Sequence, residues 1–138
     1  MARQTIRLFR DQLRNFTRDV RLQHTLWVKR VAAAAHRAAY QHTPIDTSRA
    51  MSGWVAQINS PSMIEPDYTA GSKGSTRAEA IQINEGNIAA VAAAYRFAQM
   101  IFIRNNVHYI ETLEGGSSTQ APGGMMSFAV DAALQEMK

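Results

Sequence analysis

The chain has 138 residues, a formal net charge of +4 and no cysteine. That length suits one domain, 1–138, with a modest core, and the missing thiols exclude a disulfide framework and a thiolate metal site, as suits a reducing cytosol. No run of about 18 apolar residues offers a membrane span, and Met1-Ala2-Arg3-Gln4 opens no signal peptide, so a soluble, unprocessed chain with no membrane partner is expected.

Charge is unevenly placed. The first thirty residues hold Arg3, Arg7, Arg10, Arg14, Arg18, Arg21, Lys29 and Arg30 against Asp11 and Asp19 alone, which leaves the remainder acidic. At about 100° per residue the six arginines from Arg3 to Arg21 fall within roughly an 80° arc of a helix. Ile6, Phe9, Leu13, Phe16, Val20 and Trp27 fill the neighbouring arc at three- and four-residue steps, so an amphipathic helix with an arginine edge is predicted. Three readings of that edge stand side by side. It is a solvated face whose arginine stems cover the rim of an apolar stripe, a contact pairing guanidinium groups with a partner's carboxylates, or a contact with DNA phosphates.

The helical pattern runs on through Val28, Val31 and the alanine-rich stretch 32–39, and Pro44 ends it, giving a helix over 1–42. Asp46, Thr47 and Ser48 are N-cap residue types, which predicts a helical turn over 48–52 broken by Gly53. A strand is expected over 54–58, with Trp54, Ala56 and Ile58 on one face and Val55 on the other. Pro61, Pro66, Gly71, Gly74 and several serines predict an irregular, mobile loop over 59–75.

Thr76 and Glu79 have capping-box spacing, and the apolar pattern from Ala78 to Tyr95 predicts a helix over 77–94 with Gly86 as a break or weak point. The segment 97–104 reads as the best strand in the chain, and Asn105-Asn106 as a turn, since asparagine tolerates left-handed backbone. A helical turn over 109–114, stopped by Gly115-Gly116, a loop over 117–124 and a helix over 125–137 complete the chain. The fold class that follows is α+β: a long N-terminal helix and further helices packed on a small, mainly antiparallel sheet.

Catalytic signals are sparse. His108, Glu111 and Glu114 stand at i, i+3 and i+6, but the paired histidines of a zinc helix and a third ligand are missing, so neither metal nor cofactor is expected. Glu114 is read instead as accepting backbone hydrogen bonds from the loop 115–120, with Glu111 solvated. The segment Gly71-Ser72-Lys73-Gly74-Ser75 is not a phosphate loop and follows no hydrophobic strand. His24, His36 and His42 lie along the first helix with no serine or carboxylate partner, as helix-surface residues. A hydrolase resting on His108 and Glu111 has no other support in the chain.

Two stretches carry more: Thr43-Pro44-Ile45-Asp46-Thr47-Ser48-Arg49-Ala50-Met51-Ser52-Gly53-Trp54, and the set Asn105, Asn106, Tyr109, Leu113, Glu114, Gly116, Gln120, Ala121, Pro122, Gly124 and Met125. In order and spacing they resemble the tail-completion or neck proteins of long-tailed bacteriophages, the minor tail protein Z-like group. Ser48 departs from the usual glycine of that pattern, and His108 from a common proline. The resemblance, spanning about Trp27 to Met137, implies a non-enzymatic virion protein that helps to join the DNA-filled head to the tail. It implies a sixfold or twelvefold homo-oligomeric ring set against connector or stopper proteins and tail-terminator or tail-tube proteins, assembled in the host cytoplasm. A tail terminator capping the tube and a small DNA-binding protein using the arginine helix are the competing readings.

The loop 115–126 also suits assembly on its residues. Gly115, Gly116, Gly123 and Gly124 permit close backbone approach, Pro122 limits the ordering cost, and Met125 and Met126 add adaptable apolar surface. That loop, with Gly116, Gln120, Pro122, Gly124 and Met125, and the arginine edge are the expected partner-contact surfaces. Pro44, Asp46, Arg49, Trp54, Asn106, Tyr109 and Glu114 are expected to hold the fold.

Overall fold

A computed structural model of the chain describes residues 2–44, 49–64, 77–115 and 124–138. Helix α1 (Ala2–Gln41) leads to a short α2 (Arg49–Ser52), strand β1 (Trp54–Ile58), helix α3 (Arg77–Ala94), strand β2 (Ile101–Asn105), a short α4 (Ile110–Glu114) and helix α5 (Met125–Glu136). The expected α+β class is what forms: helices against a two-stranded antiparallel sheet in which Trp54 faces Asn105 and Ile58 faces Ile101. Among the described residues no helix is long and apolar enough to cross a membrane.

The C-terminal half of α1 is the spine. Its small residues let two helices lie close, and α3 and α5 both run antiparallel to it. Arg37 meets Glu85 and Lys29 lies beside Ala92 along α3; Thr43 meets Met125 and Arg30 meets Glu136 along α5. Ala39, Tyr40, Met51, Trp54, Ala80, Ile88, Met125 and Ala129 form the buried core between them. The alternation expected of β1 is present, with Trp54 and Ala56 buried and Gln57 exposed.

Pro44 stops α1, but the residues before it finish the job. Thr43 donates its hydroxyl to the Ala39 carbonyl at 2.7 Å and accepts the Trp54 indole N–H at 2.8 Å. His42 Nδ1 lies 2.8 Å from the Ala38 carbonyl, which also accepts the His42 backbone N–H, and the Ala39 carbonyl that the helix end leaves unsatisfied is met by the Thr43 side chain. Trp54 thus ties the start of β1 to the end of α1, as its assignment to the fold requires.

Three local expectations need correction. Strand β2 begins at Ile101, not Phe97. The Tyr95 N–H still bonds back to Val91, and 96–99 then close a turn in which Gln99 Oε1 accepts the Arg96 N–H at 2.7 Å and Ala98 has φ 70°. Phe97 is drawn to α1 instead, its ring edge-on to His24 at 5.2 Å and under the Arg21 guanidinium at 5.4 Å.

The chain turns at Asn105-Asn106 without left-handed backbone: Asn105 is the last strand residue, neither asparagine has a positive φ, and the bond from the Val107 N–H to Asn105 Oδ1 makes an Asx turn instead. Their amides bond backbone. Asn105 Nδ2 donates to Ala50 O at 2.7 Å while its Oδ1 accepts Val107 N–H at 3.0 Å, and Asn106 Nδ2 donates to the carbonyls of Ser62 and Ile64. Glu114 accepts the Met126 N–H of α5 at 3.3 Å on both carboxylate oxygens, while the loop residues 116–120 expected to bond it lie outside the described residues. A carboxylate there also suits the positive end of the helix.

Gly86 does not interrupt α3, which continues through it. Its backbone is helical, and a Cβ added there would meet nothing within 4 Å. Gly53 is the opposite case: a Cβ there would lie 2.7 Å from Asn105 Oδ1 and 2.8 Å from Val107 Cγ2. The two alanine substitutions should therefore differ in sign. Gly86→Ala should stabilise by about 0.5–1 kcal/mol through helix propensity, and Gly53→Ala should destabilise by about 1–3 kcal/mol through overpacking; urea denaturation midpoints of the two variants compare them directly.

Asp46, the Thr47 and Ser48 caps, the Thr76 capping box, most of the loop 59–75, and Gly116, Gln120 and Pro122 lie outside the described residues.

Candidate functional site

Residues 2–24 of α1 are all exposed, which at 1.5 Å per residue makes a helical arm of about 35 Å. The expected amphipathic pattern is there, but its apolar face covers nothing: Ile6 is 65 % exposed, Phe9 61 %, Phe16 67 %, and Leu13 and Val20 about half. A helix normally turns such a stripe to the core. Leu8 and Leu22, on a different side of the same arm, are exposed too. The last arm residues touch the body at Phe97, which meets Arg21 and His24.

Arg3, Arg7, Arg10, Arg14, Arg18 and Arg21 stand together along one edge of this arm, as the spacing predicts. Arg18 makes an ion pair with its neighbour Asp19 at 3.5 Å, with both side chains largely solvated. Arg3 and Arg7, Arg10 and Arg14, and Arg14 and Arg18 are i, i+4 pairs of like charge, each destabilising the helix by a few tenths of a kcal/mol. The first turn carries no acidic residue to offset the helix dipole. The arm therefore holds both an uncovered apolar stripe and uncompensated positive charge.

The second expected surface lies far from the arm along the chain, at α4 and α5. Gly124 has φ 90°, a left-handed conformation that glycine adopts freely, and its N–H bonds to the Glu114 carbonyl at 3.0 Å. Met125 is buried against Thr43, so it packs the core and does not face a partner. Its neighbour Met126 is exposed and begins a stripe continued by Val130, Leu134 and Met137 on the outer side of α5. The residues Trp54, Ile103, Glu111, Glu114 and Met126 line a groove of about 250 Å³ beside the start of that stripe. Tyr109 precedes α4, half-buried, with its ring edge-on to His108 at 5.0 Å. Arg49 is half-buried at the first position of α2. Among the described residues no group of three or more histidines and carboxylates could hold a metal ion.

Sequence reasoning missed the polar junction that anchors the arm's base. His36, expected on a helix surface, is fully buried, and its Nε2 lies 2.8 Å from Asn84 Oδ1. Asn84 Nδ2 donates to Met51 O at 2.9 Å and Ala80 O at 2.8 Å, so Oδ1 must accept and His36 Nε2 must carry the proton. Burial lowers the His36 pKa from 6.5, against the opposing pull of Asn84, the Glu85 carboxylate and the Trp54 backbone. The Trp54 backbone is outside hydrogen-bonding geometry, leaving His36 Nδ1 without a partner.

Next to it, Arg37 grips Glu85 with two hydrogen bonds of 2.8 Å, and Tyr40 donates its hydroxyl to the same carboxylate at 2.6 Å. The Arg37 hydrogen bond is the main cause holding the Glu85 carboxyl down at about 2, and burial, ahead of the bond to Glu85, pushes the Tyr40 phenol up to about 12. Asn87, one turn along α3, accepts Ala56 N–H at 2.7 Å and donates to Ala56 O at 3.0 Å, completing the outer edge of β1. The signal for all this was the polar Asn84 amid alanine and isoleucine at i±4.

Acid should loosen this junction in two stages. Below pH 6.5 the unfolded chain protonates His36 and the folded chain resists, so stability falls as pH drops until the lowered folded pKa is passed. Glu85 contributes stability above its ordinary 4.5 that is lost as pH falls towards about 2. Urea midpoints measured from pH 8 to pH 3 should decline in that order, with the upper stage absent in His36→Gln.

Compared with protein-family models, with curated proteins and with solved structures, the chain matches none.

Proposed function

We propose that this chain is a non-enzymatic structural protein of a long-tailed phage virion, placed at the neck and working as a ring against connector and tail-terminator proteins. The observation that carries this reading is the arm: about 35 Å of helix whose apolar stripe stays exposed and whose arginine edge, among the described residues, meets the body of the fold at Arg21 over Phe97. Exposed apolar patches of that extent belong to surfaces that are covered in use. The order of Thr43 to Trp54 and of Asn105 to Met125 supplies the placement, and a ring of modest contacts holds by multivalency.

Electron microscopy of lysates from a phage lacking this gene tests it. Filled heads beside free tails of normal length are the expected result. Overlong tails would assign the protein to tail termination, and intact infectious particles would reject a virion-joining role altogether.

The exposed arginine edge favours DNA binding as the second reading. It requires affinity for duplex DNA that falls steeply with salt, with a log–log slope of about −5 if all six arginines meet phosphates.

A further inference from the structure

We infer that the arm of one copy docks on the outer face of α5 in the next copy, so that each chain gives one arm and receives one. The inference rests on the ring proposed above and names the two surfaces that would make it. Three observations meet here. The arm presents an exposed stripe, Ile6, Phe9, Leu13, Phe16 and Val20, that no element among the described residues covers. Helix α5 presents a second one, Met126, Val130, Leu134 and Met137, each 44–52 % exposed and spaced 4, 4 and 3 residues apart along one side of the helix. Two apolar helix faces of matching period can pack ridge into groove.

Charge selects which surface the arm meets. The arginine edge lies beside the arm's stripe, and its six arginines outnumber the arm's own Asp11 and Asp19, so carboxylates from outside the helix would relieve the remaining like charge. Around the α5 stripe stand Asp131, exposed on α5, and Glu111 and Glu114, which line the groove beside Met126 together with Arg104, so that carboxylates are in excess there. Pairing arm with arm would add arginines to arginines. Pairing arm with α5 sets arginines against carboxylates and apolar stripe against apolar stripe, with methionines at both ends of the receiving face to adapt the fit.

The arm cannot serve its own α5. Helix α5 runs back along α1 only as far as Arg30, where Glu136 closes an ion pair at 3.0 Å, and the arm continues beyond it. The contact is therefore between copies and heterologous, one patch against a different one, and this class of interface closes into rings when its rotation allows.

Because the chain has no cysteine, single-cysteine variants read the contact directly in the purified full chain. Phe9→Cys and Phe16→Cys are each mixed with Val130→Cys and with Leu134→Cys under mild oxidation. The expected result is a disulfide between arm and α5 variants in at least one mixture, well in excess of the homodimer either variant forms alone. Asp131→Arg should weaken that cross-link about three- to ten-fold, and Arg14→Glu on the arm partner should recover it, since the pair is read as a charge match. Cross-linking of Phe9→Cys or Phe16→Cys to itself in preference to α5 would overturn the proposal in favour of arm pairing. A chain that sediments as a monomer at every concentration would overturn it too, and so would a monomer that binds duplex DNA through the arm. Neither result decides the neck placement, which the lysate microscopy tests separately.

Discussion

Replacing Asn84 with alanine should cost the fold about 3 kcal/mol, the largest effect expected of any single polar side chain in it. The amide makes three hydrogen bonds of 2.8–2.9 Å and joins α1, α2 and α3 at one buried point. Its loss leaves the His36 Nε2–H and the Met51 carbonyl buried without partners, and each such group costs about 1–3 kcal/mol. The Ala80 carbonyl loses an extra bond only, since it belongs to the α3 ladder. Asn87→Ala, which removes a half-buried side chain from the Ala56 backbone and lets water take its place, should cost about 1 kcal/mol. Urea unfolding followed by circular dichroism orders the two; equal midpoints would mean that His36 and Met51 find other partners once Asn84 is gone.

Removing residues 2–20 should do the reverse: leave the fold intact and abolish its use. All of these residues are exposed, and among the described residues Arg21 is where the arm meets Phe97 of the body. The unfolding midpoint of the shortened chain should stay within about 1 kcal/mol of the full one, or rise slightly as the arginine ladder is lost. Supplied in place of the full chain to a phage lacking the gene, it should nevertheless yield unjoined heads and tails. Joined, infectious particles would show the arm to be dispensable and would leave the α4–α5 surface as the contact to pursue.

Much of the fold was legible because its signals are local. Pro44, Gly53 and Gly115 punctuate the chain where helices end, and the periodicities of α1, β1 and α5 read correctly over their lengths. What was not legible depends on partners distant in sequence. Phe97 looks like a strand residue until His24 and Arg21, more than seventy positions earlier, are placed beside it. Gly53 looks like a helix breaker, whereas the Asn105 side chain occupies the room a Cβ would need. His36 looked like a surface residue because nothing in the periodicity of α1 reveals that Asn84 will be waiting on α3.

The arm shows the same limit from the other side. Its stripe and its arginine edge were plain in the sequence, and the stripe invited the expectation of a face packed on a core. Only the placement of α3 and α5 shows that the supporting elements run out before the arm begins. Periodicity reports which residues share a face and is silent on what that face meets.

From Ala2 to Thr43 the chain contains neither glycine nor proline, the usual causes of a helix kink. Arm and spine are consequently one unjointed rod, clamped at one end by the Arg37–Glu85 and His36–Asn84 contacts. Such a rod behaves as a cantilever: a tilt of about 5° at the clamp moves the tip, about 50 Å away, by about 4–5 Å. Whatever seizes the tip therefore sets the angle of the whole body, and a ring built through such levers would transmit the orientation of each member to the next with little slack.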